Sequence, residues 1–248
     1  MLNIFRKKNK VTDISWLGVD MHSHILPGID DGAQNVTHSV RYVKALQELG
    51  FNQLICTPHI FKGLYPNTPA TILQAETLLR DELINANISV NLSTAAEYMI
   101  DHNFNHEEAL CPIRGEYLLI EMRFLVESPN ISQAQFDIEV EGYRPILAHP
   151  ERYTYYYKDL SRLKRLKEKG CLLQLNLLSI LGYYGRDVKK LADILLKEKM
   201  YDFAGTDLHS DKHLQILTES VISGRMYDLI GTYDFKNQEV FNAPLQLA

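Results

Sequence analysis

Long apolar runs are missing from this 248-residue chain, cysteine is scarce and tryptophan occurs once. No stretch reaches the ~18 apolar residues that a membrane-spanning helix needs, and the opening does not read as a secretory signal. The basic excess of a general nucleic-acid binder is absent too: 26 Lys and Arg stand against 31 Asp and Glu, for a net charge of -5. Cys56, Cys111 and Cys171 are an odd set without a CxxC pair. They suit a reducing cytoplasm and offer no disulfide framework. None is followed at the right spacing by an arginine, which removes the cysteine-nucleophile route to phosphate esters. Cys56 and Cys171 lie in apolar runs, where a thiol reads as buried and inert.

The hydrophobic content of 46% is enough for one core of ordinary size, and single α/β barrels often have this length. No Gly/Ser linker, low-complexity tract or internal repeat divides the chain. The expected organisation is a basic tail over residues 1–15 followed by one domain over 16–248. The opening MLNIFRKKNK reads as a solvated tail. A weak hold on anionic lipid, near the inner membrane face, or on a partner is the other use of such a pattern.

Short β-rich runs alternate with helical patterns. Strands are predicted at Trp16–Met21, Gln53–Thr57, Ile88–Ala95, Tyr117–Met122, Pro145–Ala148, Leu172–Leu177 and Tyr201–Ala204. Val36, Val40, Val43, Leu46 and Leu49 line one helical face, which Gly50 ends as a C-cap glycine. Further helices are predicted over Thr71–Ala86, Ser132–Glu141, Leu160–Lys169, Asp187–Lys199 and after Asp211. Alternation of this kind predicts parallel strands with crossover helices, and about seven strands point to a distorted barrel.

Chemistry-bearing residues fall at the strand ends. His22 and His24 follow the first strand, His59 the second, Glu97 and Glu121 end the third and fourth, His149 follows the fifth, and Asp207 and His209 the last. In a parallel barrel these ends share one face. Each fragment is weak by itself, because H-x-H is common by chance and a glutamate closing a strand is ordinarily solvated. Six strand ends with imidazole or carboxylate together describe a metal site. His38, His102 and His106 lie off the strand ends and read as surface or core residues.

The strings DMHSHILPGIDDGAQN, CTPHI, AAEYMI, AHPERY and GTDLH cover roughly residues 18 to 210 in that order. They resemble the PHP family, named for its polymerase and histidinol phosphatase members. Within it the chain is most similar to the bacterial tyrosine-protein phosphatases of capsule and exopolysaccharide production. The resemblance implies a distorted (β/α)7 TIM-like barrel, with its site at the C-terminal strand ends, that binds three divalent ions. Manganese is common in this branch, with iron, cobalt or zinc as other options. It also implies a phosphotyrosine protein as substrate, such as the tyrosine-rich tail of a bacterial tyrosine kinase.

Carried over by position, His22, His24, Glu97 and Asp207 hold the first ion. Glu97 bridges to a second, completed by Glu121 and His149, and Asp31, His59 and His209 hold the third. Asp30 competes with Asp31 for that assignment, and Asp20 is expected to support rather than ligate. The resemblance makes Arg152 the catalytic phosphate clamp, a role suited to a guanidinium. Where some relatives carry another basic residue, Lys212 and His213 are the candidates here. Tyr153 and Tyr155, in the run after Arg152 that continues through Tyr156 and Tyr157, read either as a packed aromatic loop or as a wall for the substrate ring.

Three divalent ions would bring six positive charges, and Asp31, Glu97, Glu121 and Asp207 return four. The remainder of about two attracts a phosphomonoester of about -1.5 to -2. Water on such an ion ionises near pH ~7, so hydroxide replaces a protein nucleophile. Three rivals stand beside this reading: a small-molecule enzyme such as histidinol phosphatase, an amidohydrolase, and a PHP module kept as a non-catalytic scaffold. The amidohydrolase would want a bridging lysine where this chain offers Glu97 and Glu121. A scaffold would have lost ligands, and all nine are kept.

Overall fold

The structure is a computed structural model in which residues 10–104 and 109–242 are described. Its strands are β1 (Val19–Ser23), β2 (Gln53–Cys56), β3 (His59–Ile60), β4 (Asn91–Thr94), β5 (Glu97–Met99), β6 (Tyr117–Glu121), β7 (Arg144–Ala148), β8 (Leu172–Asn176) and β9 (Phe203–Gly205). All pair in parallel, as β1-β2-β4 and as β3-β5-β6-β7-β8-β9. Strands such as β6, YLLIE, are buried along their whole length, as expected where helices cover a parallel sheet.

The covering helices are α1 (Val36–Glu48), α2 (Pro69–Asn85), α3 (Ile131–Val140), α4 (Ser161–Glu168), α5 (Leu177–Ile180), α6 (Arg186–Lys197), α7 (Asp211–Ile222), α8 (Arg225–Ile230) and α9 (Asn237–Phe241). Asn35 caps α1 by accepting from the His38 N–H, and Thr68 and Thr71 cap each other ahead of α2, with Pro69 in its first turn. These devices satisfy amides that a helix start leaves unpaired. Most of the core lies between sheets and helices. A smaller cluster draws Val19, Met21, Ile55, Leu119, Ile146 and Phe203 from strands of both sheets and adds Phe241 of α9.

The two sheets also meet at their ends. The Asp207 N–H donates to His22 O at 2.8 Å and the His24 N–H to Leu208 O at 3.1 Å. Asp20 adds a side-chain tie, accepting from the Thr206 N–H at 2.9 Å and hydroxyl at 2.6 Å. Its role is therefore to seat β1 against the segment after β9. Burial pushes its carboxyl up to about 6, against the lowering effect of the Thr206 hydrogen bonds.

Several boundaries differ from expectation. The first strand starts at Val19 rather than Trp16, because Gly18 at φ +69° turns the chain before it. The strand expected over Ile88–Ala95 ends at Thr94, and Glu97 opens a separate strand. Likewise Pro58, without an N–H for the ladder, separates β2 from β3. Of the expected basic tail, residues 1–9 lie outside the described residues. Ile14 is fully buried and donates to Leu49 O at 2.8 Å, so the packed chain begins before residue 16. Among the described residues no helix is long and apolar enough to cross a membrane.

Asn237 ties α9 to both edges: its side chain accepts from the Ala204 N–H at 3.0 Å and donates to Ala204 O at 2.7 Å and Val19 O at 2.9 Å. Asn237→Ala strands these buried groups and is expected to cost roughly 2–4 kcal/mol of stability. Urea unfolding checks this, and an unshifted midpoint would contradict it.

Candidate metal centre

His22 in β1 and His24 just after it lie two residues apart in extended chain and so point the same way, which brings their Nε2 atoms within 3.1 Å. Glu97 Oε2 lies 3.3 Å from each Nε2, and Asp207 Oδ1 lies 3.4 Å from each. All four side chains are buried. A tetrahedral ion with bonds of ~2.0–2.1 Å has donor–donor edges of ~3.3–3.4 Å, so these atoms surround a point at metal distance. Glu97 Oε2 is buried and accepts no hydrogen bond. Such an oxygen facing converging imidazole nitrogens is costly unless a cation lies between them. The donor set fits a divalent metal.

The other expected ligands gather around this group. Glu97 Oε1 faces His149 Nε2 at 3.1 Å, so the two oxygens of Glu97 serve different sides. Glu121 Oε1 is 3.0 Å from His59 Nδ1, which is also 3.1 Å from Glu97 Oε2. Asp31 Oδ1 lies 3.4 Å from His59 Nε2 and 3.5 Å from His209 Nε2. All nine residues thus belong to one cluster, with a difference in grouping: Glu121 stands with Glu97 and His59, and His149 with Glu97 and His22. His149 and Asp207 have φ of +36° and +50°, a left-handed backbone that costs energy in a non-glycine residue and aims both side chains back at the cluster. His38 and His102 lie apart from it, and His106 is outside the described residues.

A second layer fixes the rings. Gln174 Oε1 meets His22 Nδ1 at 2.9 Å, Asp30 Oδ2 meets His24 Nδ1 at 2.8 Å, and the Asp207 carbonyl meets His209 Nδ1 at 2.9 Å. Each contact leaves Nε2 facing the cluster, the usual arrangement around a metal-ligating histidine. Asp30 also accepts from the His59 and Gly32 N–H groups. The two neighbouring aspartates therefore divide the work, Asp30 orienting His24 while Asp31 faces His59 and His209. Gly32 is obligatory, since a Cβ there would lie 1.9 Å from the His24 carbonyl oxygen. Asp207 Oδ2 accepts from Asn176 Nδ2 at 2.7 Å and Arg152 at 3.0 Å. The Asn176 N–H in turn reaches buried Glu151, which also holds the Tyr201 hydroxyl. Gln174 and Asn176 escaped the sequence reading, although polar residues inside LLQLN, a strand buried almost throughout, were their signal.

The cluster opens into a cavity of about 800 Å³, and Arg152 lines it. The guanidinium is sandwiched between Phe124 and Tyr184, its carbon 4.2 Å and 4.1 Å from the ring centres. Of the two readings of the tyrosine run, the structure has the packed aromatic loop and not the substrate wall. Tyr153 is fully buried, with its hydroxyl donating to Ala148 O and accepting from the Met122 N–H. Tyr155 stacks on Tyr153 and turns its hydroxyl to Met122 Sδ. Neither lines the cavity, whose aromatic walls are Phe61, Tyr65, Phe124, Tyr183 and Tyr184. His213 lines it as well, with Nδ1 toward the His209 N–H, whereas Lys212 lies over the Tyr183 ring.

Residues 18–219 match the family described as capsular polysaccharide synthesis, CpsB/CapC. The chain belongs to the CpsB/CapC family. It is 30% identical to tyrosine-protein phosphatase YwqE of Bacillus subtilis over 92% of this chain and 95% of that protein. It is 26% identical to the putative tyrosine-protein phosphatase CapC of Staphylococcus aureus, over 84% and 83% of the two chains. Its fold is similar to that in the crystal structures of YwqE from B. subtilis and CpsB from Streptococcus pneumoniae, described as unique metal-dependent tyrosine phosphatases. The TM-score is 0.77 at 28% identity, covering 90% of this chain and 91% of that one.

The electrostatics of this CpsB/CapC site follow from its packing. Burial opposes charge on Glu97 and on Asp207, but the surrounding imidazoles outweigh it and hold both carboxyls well below their usual range. Burial likewise opposes protonation of His22 and His59, and Glu97 with its neighbours reverses the balance. The cluster is therefore an anionic cage that attracts cations, protons included. Asp30→Ala removes the partner of His24 without touching a ligand atom. Divalent-metal affinity is expected to fall roughly 10–100-fold, measurable by competitive titration against a metal-sensing dye; unchanged affinity would show that Asp30 does not orient the ring.

Proposed function

We propose that this CpsB/CapC chain is a metal-dependent phosphoric monoester hydrolase that acts on phosphotyrosine in protein and serves capsule or exopolysaccharide synthesis. One observation carries the reading: buried His22, His24, Glu97 and Asp207 converge at metal spacing beside an aromatic-walled cavity into which Arg152 projects. The names of its relatives point the same way. We read the two sheets as one distorted (β/α)7 barrel within a single domain whose packed chain takes in Ile14, ahead of the expected start at residue 16. Supporting this, β2 leads into β3 and β4 into β5, and backbone hydrogen bonds link β1 to the segment after β9. We further propose three divalent ions, manganese foremost, held by His22, His24, Asp31, His59, Glu97, Glu121, His149, Asp207 and His209. A bacterial tyrosine kinase in the cytoplasm fits as the substrate protein.

A divalent metal held by these residues would neutralise charge on the phosphoryl oxygens and make water acidic enough to serve as nucleophile near neutral pH. Glu97, with one oxygen toward His22 and His24 and the other toward His149, keeps the donor groups in register. Arg152 shares Asp207 Oδ2 with Asn176 and presents its remaining N–H groups toward the cavity, where a phosphate oxygen pair matches their fork. Phe124 and Tyr184 hold the guanidinium and flank the space for a phenyl ring. Phenolate leaves readily, so cleavage of phosphotyrosine demands less of an acid than cleavage of an alkyl phosphate.

Exhaustive chelation is expected to abolish hydrolysis, with manganese or a similar divalent ion restoring it; full activity after chelation would end the proposal. Glu97→Gln should lower bound metal and turnover together, read by elemental analysis on the assayed sample. Arg152→Ala should reduce kcat/KM on every phosphomonoester by about 10- to 100-fold, the size of a lost charge-assisted pair of roughly 1.5–3 kcal/mol. Phosphotyrosine peptides should outrun phosphoserine peptides and histidinol phosphate. Faster turnover of histidinol phosphate would reassign the substrate and leave the metal centre standing.

A further inference from the structure

α4 and its C-cap carry Arg162, Lys164, Arg165, Lys167 and Lys169 within one short stretch of a chain whose net charge is -5. Most of these cations are paired: Lys164 with Glu198 at 2.7 Å, Lys167 with Asp202 at 2.6 Å, and Arg162 with Glu127. Arg165 and Lys169 are exposed and meet no carboxylate at ion-pair distance among the described residues. Both line a cavity of about 300 Å³ together with Arg162, Glu127, Ser128 and Ser132. Three cations there face one carboxylate, and Glu127 is already engaged by Arg162 and by the Tyr156 hydroxyl at 2.9 Å. A cationic face on a helix is usually just solvated. Here it lines a concave space, and beyond Glu127 the nearby counter-charge is exposed Asp159, which feels Arg165 and Arg162 without pairing with Arg165.

The position of that space matters. Residues 123–126 form one wall of the catalytic cavity, and Glu127 and Ser128, the next two residues, form a wall of the cationic one. One loop thus divides the two cavities, with Val126 on one side and Glu127 on the other. Leu125 and Val126 on this ridge are exposed, at 76% and 67%, so a peptide entering the catalytic cavity has an apolar shoulder to cross. We propose that the α4 cavity is an anion-binding subsite for the protein substrate. It receives a phosphorylated or carboxylate side chain a few residues from the phosphotyrosine being hydrolysed. The subsite rests on the phosphatase reading for its purpose and on the paired cavities for its place.

The test uses metal-loaded enzyme and the double variant Arg165→Ala/Lys169→Ala, whose side chains are exposed and distant from the metal ligands in sequence. Turnover is compared on p-nitrophenyl phosphate, on a phosphotyrosine peptide with neutral flanks, on the same peptide with a second phosphotyrosine, and on it with flanking glutamates. The variant should match the parent on the first two. On the anionic peptides its KM should rise about 5- to 20-fold with kcat unchanged, as expected for two exposed charge contacts. A rise with the second phosphotyrosine alone identifies phosphate as the occupant, and an equal rise with glutamates identifies general anion recognition. Equal effects on all four substrates, or on none, would overturn the subsite. Fluorescence anisotropy of the labelled peptides on both proteins runs alongside. If the parent hydrolyses no phosphotyrosine yet the variant binds anionic peptides more weakly, the activity reading fails and the subsite stands.

Discussion

The carboxylate of Glu97 is the constraint on which the site depends. It is fully buried, one oxygen has no hydrogen-bond donor, and four imidazoles approach it. A charge so placed is tolerable only if cations share the space. The surrounding fold supplies that condition from separate directions: β1 brings two rings, the turn at Pro58 brings a third, and the left-handed residue after β7 brings a fourth. Remove the carboxylate and these elements have no common partner.

Around that core a further set of polar groups orients the cluster's side chains without belonging to it. Gln174, Asp30 and the Asp207 carbonyl each occupy the nitrogen of a histidine that faces away from the cluster. Asp207 is held in its turn by Asn176 and Arg152, and Asn176 by Glu151. Arg152 therefore touches both the cage, through Asp207, and the cavity it lines, and the Phe124–Tyr184 sandwich holds it between them.

The residues of the cluster were legible in the sequence because strand ends announce themselves by the change from apolar runs to His, Glu and Asp. Parallel pairing then places those ends together without further information. What the sequence left open is set by contacts between remote positions. Gln174 reaches His22 across 152 residues, and no local pattern marks the pair. The choice between Asp30 and Asp31 depended on a loop that doubles back until Ala33 donates to the His24 carbonyl. The tyrosine run allowed two readings, and packing decides between them: after the short 3-10 turn at Pro150–Arg152, the Tyr153 ring tucks under the site to satisfy backbone groups. Tyr184, which stands in the cavity wall, sits in a turn with nothing around it to draw notice.

The placement of the thiols has a consequence for how such a protein can be silenced. Cys56 and Cys171 are buried, the latter with its thiol pushed up to about 12, and no cysteine lines the catalytic cavity. Peroxide inactivates by oxidising an exposed thiolate to sulfenic acid, and alkylating agents act on the same species. No thiol takes part in this cluster of imidazoles and carboxylates, so the oxidation to sulfenic acid that shuts cysteine-dependent phosphatases has no counterpart among its residues.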